Sequence, residues 1–208
     1  MDHMGPTLVP LIMSLPPLQQ ILASGTGEQD PLAQALSLLF EPSPVLFHHI
    51  IPQIISSSIF SFITSYLALI DLTVDTLNQC SDIRRAEFIA AHPRIGATKN
   101  LSALSSKEQG STTTPDVIHR LAHLNACYER RYSGLCYITF VNGRSRAAIA
   151  EEMEDKLGIE HSLSPDEPSL AAFVAIKEGD ELWKQELDRA VRDVGRIAGS
   201  RLAALKQT

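Results

Sequence analysis

The chain has 208 residues, a formal net charge of −6 and 44% hydrophobic residues, which suits a soluble globular domain with its own hydrophobic core. The acidic balance and the lack of a basic stripe argue against a nucleic-acid partner, because phosphate binding needs clustered Lys and Arg. The three cysteines form no Cys-x-x-Cys pair, so the sequence predicts neither a disulfide framework nor a zinc site.

The first half of the chain shows apolar residues at helical spacing. We predict helices over residues 31–40, 45–54 and 58–77, with the first one ended by the EPSP of residues 41–44. Residues 43–70 contain no Asp, Glu, Lys or Arg, a length that could span a bilayer. Prolines interrupt this stretch and neither flank carries a basic anchor, so we predict core helices and no membrane span.

The second half predicts four more helices, separated by a polar connection after Pro93 and by a loop over residues 159–168. They cover residues 83–92 after an N-cap at Ser81 or Asp82, 116–132 after Pro115, 146–157 between Ser145 and Gly158, and about 180–206. Residues 135–141 (LCYITFV) form the one extended run, rich in aromatic and β-branched residues, and have no visible partner strand. The fold class is therefore all-α: a compact multi-helix bundle with one short buried extended segment. We assign residues 30–208 to a single domain and residues 1–29 to a variable N-terminal extension.

Arg201 interrupts the apolar stripe of the last helix. Leu187, Val191, Val194 and Ala198 follow each other at three- and four-residue spacing, and the same stripe then reaches Arg201. A core-facing guanidinium is costly unless it is paired. Arg201 therefore pairs with a buried structural carboxylate, extends outward to solvent, or binds a ligand carboxylate in a cleft.

His92 ends a helix and directly precedes Pro93 in the segment AHPRIGA. An imidazole at a helix C-terminus experiences a potential that favours its protonated form, which would suit an acid catalyst. The alternative interpretation is a helix cap without chemistry. Glu108 and Gln109 follow two serines, a pattern that is also ordinary for the start of a helix.

Metal binding is not indicated. His119 and His123 share a helix face at metal-compatible spacing, but no third ligand accompanies them in the sequence. We therefore predict no metal.

Five segments in order resemble one family: AHPRIGA, SSKEQ, LNACYERRY, LCYITFVNGRS and a closing helix that ends SRLAAL. Together they are similar to the decarboxylases of 2-oxo-4-hydroxy-4-carboxy-5-ureidoimidazoline (OHCU), the product that precedes allantoin in urate oxidation. The resemblance covers roughly residues 30–206. It implies cofactor-independent decarboxylation of a small-molecule substrate to (S)-allantoin and a homodimeric enzyme in the cytoplasm or peroxisome, although no targeting signal is readable.

The resemblance also implies site residues. It places the catalytic groups at His92, Glu108 and Arg201. It implies substrate contacts from Pro93, from Ser105, Ser106, Lys107 and Gln109, and from the extended segment Tyr137, Ile138, Thr139, Phe140 and Val141. The chain departs from the family before that segment, where it reads Tyr-Ser-Gly-Leu-Cys-Tyr in place of an aromatic-Gly-aromatic-Pro-aromatic run. Two other functions stay open: a related enzyme with a different ureido or imidazoline substrate, and a non-catalytic helical interaction module.

Overall fold

The computed structural model of the chain describes residues 14–97, 104, 113–162 and 164–205. Within these ranges the regular structure is helical, with no β-strand and one isolated bridge between Tyr132 and Ile176. The all-α prediction is confirmed. The helices are α1 (Leu18–Leu22), α2 (Pro31–Phe40), a π-helical turn (Leu46–Ile50) that continues as α3 (Ile51–Ser56), α4 (Tyr66–Asn78), α5 (Asp82–Ala90), α6 (Pro115–Arg131), α7 (Arg146–Leu157) and α8 (Glu181–Leu205), with 3-10 turns at Phe60–Phe62 and Leu170–Ala172.

The long helix α8 lies at the centre of the bundle and packs against α2, α4 and α5, while α6 and α7 pack against each other. Its buried face contains the predicted apolar stripe, which confirms the helical spacing read from the sequence. The buried side chains of this face are Leu187, Val191, Val194, Ala198, Arg201 and Leu202. The residues that the stripe brings to the core therefore include one guanidinium.

The predicted helix over residues 58–77 is wrong in its first part. The chain forms only a short 3-10 turn at Phe60–Phe62, and α4 begins at Tyr66. Ser65 stops the helix from extending further back, because its hydroxyl accepts a hydrogen bond from the Ala68 N–H at 3.1 Å as an N-cap. The expected stripe is broken accordingly, and Ile59 is 59% exposed.

Residues 43–70 form several short helical pieces, and none of the helices in the described ranges combines the length and hydropathy of a membrane crossing. The predicted helix over 45–54 is confirmed as the π-turn and α3, which together end at Ser56. The predicted caps of α7 are confirmed as well. Ser145 accepts a hydrogen bond from the Ala148 N–H at 3.1 Å, and Gly158 ends the helix in the left-handed conformation with φ 70°.

The chain between α6 and α7 runs through the core without forming helix or strand. Residues 135–139 are all buried, while Phe140 and Val141 are partly exposed. The buried non-helical segment agrees with the prediction for residues 135–141. Two of its backbone carbonyls accept hydrogen bonds from arginine side chains: Ile138 from Arg189 of α8 at 2.7 Å, and Phe140 from the nearby Arg144 at 2.6 Å.

Candidate active site around His92

His92 lies just beyond the C-terminus of α5. The helix ends at Ala90, and the His92 N–H donates to the carbonyl of Ile89 at 3.0 Å, so the chain makes one more turn before Pro93. The side chain is directed inward: His92 is only 5% exposed, and its ring lies 6.0 Å from the ring of Phe88.

Both ring nitrogens of His92 are buried, and neither makes a hydrogen bond of good geometry among the described residues, although the carbonyls of Phe88 and Ile89 lie near enough to favour the protonated ring weakly. Buried polar atoms are almost always hydrogen-bonded, and leaving one unpaired costs roughly 1–3 kcal/mol. An imidazole that only capped a helix would not be held in this state. The arrangement is typical of a group that receives its partner when a ligand binds.

Arg201 reaches this region from α8. Its Nη2 lies 2.8 Å from Oε1 of Glu41, and its Nη1 donates to the carbonyl of Leu39 at 3.4 Å. The side chain of Arg201 is 2% exposed and that of Glu41 is 8% exposed. Of the three interpretations of Arg201, outward extension is therefore wrong, because the end of α2 supplies a buried carboxylate that pairs with the guanidinium.

The protonation of His92 follows from this environment. Burial, the largest cause, and the positive charge of Arg201 both lower the pKa of His92, the negative charge of Glu41 partly offsets them, and the resulting pKa is about 4. The expectation that the helix terminus would favour the protonated imidazole is thus wrong, because burial and the nearby guanidinium outweigh it. His92 is neutral at neutral pH and can accept a proton.

A cavity of about 460 Å³ lies beside His92. Pro93 and Arg94 line it from the chain after α5, Glu129 lines it from α6, and residues 134–136 line it from the buried segment. A second cavity of about 480 Å³ shares Pro93, Arg94 and Glu129 with the first. The Nη2 of Arg94 donates to Oε2 of Glu129 at 3.0 Å, so an ion pair stands where the two cavities adjoin.

Cys136 presents the thiol at this cavity. Burial raises the pKa of Cys136 to about 11, with a smaller contribution from the charge of Glu129. The side chain is therefore a protonated thiol at neutral pH and acts as a small apolar group beside the cavity.

The predicted site residues are only partly brought together. Pro93 shares the cavity with His92, and Arg201 acts on His92 through its charge. Ser105, Ser106, Lys107, Glu108 and Gln109 lie outside the described residues.

The predicted segment Tyr137–Val141 does not line the cavity beside His92; residues 134–136 do. Its polar side chains are directed to α7, because the Tyr137 hydroxyl and the Thr139 hydroxyl both donate to Oε1 of Glu152, at 2.5 and 2.7 Å. Thr139 and Phe140 line a separate cavity of about 420 Å³ together with Arg144, Arg189 and Arg196. The structure therefore brings an earlier part of the same non-helical segment to His92.

Glu41, which pairs with Arg201, and residues 134–136, which line the cavity, are not among the site residues predicted from the sequence. Glu41 lies in the EPSP segment that predicts the end of the first helix. Its partner Arg201 is 160 residues away, so no local pattern indicates the pair. A buried guanidinium such as that of Arg201 is costly unless a carboxylate pairs with it. Glu41, an acidic residue at the edge of the stretch without charges, is a candidate partner that the sequence itself offers.

A family model described as OHCU decarboxylase matches residues 26–166, about two thirds of the chain. The match includes Glu41, His92 and residues 134–136 and ends before α8, which carries Arg201. No curated protein and no solved structure matches the chain.

Proposed function

Since the chain belongs to the OHCU decarboxylase family, we propose that it decarboxylates OHCU to (S)-allantoin and that His92 is the acid–base group of this reaction. The family is one of carboxy-lyases in purine breakdown, so the chain is a decarboxylase. The substrate, the stereochemistry and the residue roles are the parts that we propose.

The observation that carries the proposal is the state of His92. Its imidazole is buried, neutral at neutral pH and without a hydrogen-bond partner among the described residues, and it adjoins a cavity of about 460 Å³. A group in this state is ready to bind a substrate proton donor, and a neutral imidazole is the form that can remove the proton.

The chemistry requires one proton shuttle. When the carboxylate leaves as CO2, the electron pair of the broken carbon–carbon bond delocalises over the neighbouring ring atoms as an enolate-like species. This sink is the substrate's own, which is why we propose catalysis without a cofactor. Neutral His92 accepts the proton of the 4-hydroxyl group, and the imidazolium returns that proton to carbon 5 as the carbonyl forms. Water supplies the one further proton, which goes to the ring nitrogen that received the electron pair, so the departure of CO2 from the carboxylate is balanced.

Delivery of the proton by a fixed imidazole gives one enantiomer. His92 is held by burial and by its contact with Phe88, so it addresses one face of the planar intermediate. The result is (S)-allantoin.

The other residues orient the substrate in this proposal. Arg201 contributes positive charge that stabilises the carboxylate and the developing oxyanion. Glu108 binds the ureido or hydroxyl group together with Ser105, Ser106, Lys107 and Gln109. Pro93 forms a wall of the cavity. The backbone of the non-helical segment contacts the substrate ring in this proposal. The predicted contacts are Tyr137–Val141, and residues 134–136 are further candidates because they line the cavity beside His92.

The assay generates OHCU from urate enzymatically and follows its decay by absorbance and the product by circular dichroism. Faster decay with accumulation of (S)-allantoin supports the proposal. Unchanged decay would instead favour a different ureido substrate or a non-catalytic module.

Size-exclusion chromatography with light scattering checks the homodimer that the resemblance implies. Imaging of the tagged chain distinguishes cytoplasm from peroxisome, and the boundary between an extension over 1–29 and the domain over 30–208 stays a prediction.

A further inference from the structure

Glu41 has a backbone conformation that few non-glycine residues adopt. It follows the last residue of α2 with φ 65° and ψ 143°, and it is 6% exposed although it is charged. Strained backbone of this kind persists only where the surroundings fix it. This conformation directs the carboxylate into the core of the bundle, where it is shielded from water. A carboxylate that only needed solvation would lie at the surface.

The carboxylate of Glu41 meets the guanidinium of Arg201 in that core. The two groups are 2.8 Å apart, and the neighbouring carbonyl of Leu39 also accepts a hydrogen bond from Arg201 at 3.4 Å. The end of α2 therefore supplies a charged and a neutral acceptor to one guanidinium of α8. Two acceptors fix the direction of Arg201 as well as its charge.

This pair acts on His92 from two elements. Within the part of the chain that the structure describes, Arg201 on α8 and Glu41 after α2 are the charged groups that act on the imidazole, with opposite effects on its affinity for a proton. Glu41 and Arg201 do not line the cavity beside His92; the ionisable groups that line it with His92 are Arg94, Glu129 and Cys136. Arg94 and Glu129 are paired with each other, and the Cys136 thiol is protonated, so none of them replaces Glu41.

We propose that Glu41 is a positioning residue of the decarboxylation site: it fixes Arg201 by a buried ion pair and preserves the ability of His92 to accept a proton. This inference rests on the proposed function and adds a residue that it did not use. Without Glu41 the full positive charge of Arg201 would act on the imidazole, and His92 would be a weaker base toward the substrate hydroxyl. With Glu41 the guanidinium can face substrate charge without suppressing the base beside it.

The direct test is an NMR titration of His92 from pH 3.5 to 7.5, with its signal identified by its loss in His92→Asn. In the wild type we expect protonation with a midpoint near 4. Glu41→Gln keeps the volume of the side chain and removes the charge, so the midpoint should fall and protonation above pH 4 should disappear. In Glu41→Gln/Arg201→Met both charges are absent, so the midpoint should return to the wild-type value or above it. If Glu41→Gln does not fold, the double variant still tests whether the charges of this pair act on the His92 titration.

Glu154→Gln is the matched control. Glu154 forms the other deeply buried Glu–Arg pair of the described residues, 2.6 Å from Arg120 and with a side chain 2% exposed. It should lose stability without any change in the His92 titration. In the OHCU assay, kcat of Glu41→Gln should fall about 10- to 100-fold, as for other groups that orient a catalytic residue. Glu41→Asp, which keeps the charge, should recover part of that loss, whereas folded Glu154→Gln should stay within about twofold of the wild type.

The role of Glu41 is overturned if the His92 midpoint in Glu41→Gln equals that of the wild type, or if kcat falls equally in Glu41→Gln and Glu154→Gln. A wild-type chain that leaves OHCU decay unchanged overturns the proposed function instead. The titration needs no substrate, so the two failures are distinguishable.

Discussion

The positive charge of Arg201 on the last helix disfavours protonation of His92 at the end of α5. Burial is the largest cause that lowers the pKa of His92 to about 4, and the charge of Arg201 is the second largest. A base whose function depends on being neutral thus stands beside a cation that keeps it neutral.

The first prediction concerns activity against pH. Because the pKa of His92 is lowered to about 4, protonation of this group should leave kcat/KM unaffected between pH 7.5 and 5.5 and reduce it only as the pH falls toward 4. An ordinary histidine would give a decline near pH 6.5. The measurement is OHCU decay across this range, corrected for the spontaneous reaction at each pH. A midpoint at 6 or above would contradict the assigned environment.

The second prediction concerns the His92 side chain itself. His92→Asn removes the acid–base group and leaves a smaller polar side chain, so kcat should fall about 10²- to 10⁴-fold and the allantoin formed should approach a racemate. His161→Asn is the control, because this histidine is exposed and pairs with Asp155 at 2.8 Å. The readout is circular dichroism of the product. Retention of one enantiomer at the wild-type rate in His92→Asn would refute the role of His92.

The third prediction links His92 to stability. Its pKa is about 4 in the folded chain against 6.5 for an unperturbed histidine, so the unfolded chain binds the proton more readily between these values. The stability that this difference represents, on the order of 3 kcal/mol, is fully present above pH 6.5 and is lost as the pH falls toward 4. Urea denaturation at several pH values should show a shallower decline in His92→Asn than in the wild type. Parallel curves for the two proteins would contradict the prediction.

The fourth prediction concerns Gly96, which has φ 85° in the HPRIG segment after His92. A Cβ there would lie 3.1 Å from Cβ of Leu121 on α6, so Gly96→Ala adds a steric contact to the strain of a left-handed residue. Gly143→Ala has the same kind of φ, 75°, but no atom within 4 Å of the added methyl group. We expect a loss of about 1–2 kcal/mol for Gly143→Ala and a larger loss for Gly96→Ala. Thermal unfolding measures both, and equal losses would show that Leu121 can move away.

Most of the helices could be predicted from sequence because their signals are local. The spacing of Leu187 to Ala198, the cap at Ser145 and the stop at Gly158 each act within a few residues, and each is confirmed. The helix predicted from residue 58 failed because the apolar spacing of Ile59 and Ile63 continues through Ser65, whose hydroxyl caps the next helix instead. The spacing of apolar residues alone does not show where a capping residue ends one helix and begins the next.

The candidate site was harder to predict because its contacts are long-range. Helical spacing brought Arg201 to the core, and the family motif indicated His92, but Glu41 is linked to both only by the way α2 packs on α8. The Tyr137–Val141 prediction depended on aligning a segment whose family motif is changed here, and the structure brings residues 134–136 to the cavity. Local pattern thus indicated the chemical groups, and tertiary packing decided which of them meet.

The pairing of Glu41 with Arg201 also sets an order of events during synthesis. The two residues are 160 positions apart, so the ribosome releases α2 long before α8 exists. Until then the carboxylate of Glu41 lacks this ion-pair partner. In the proposed site, His92 therefore gains both of its charged neighbours only when α8 packs against α2.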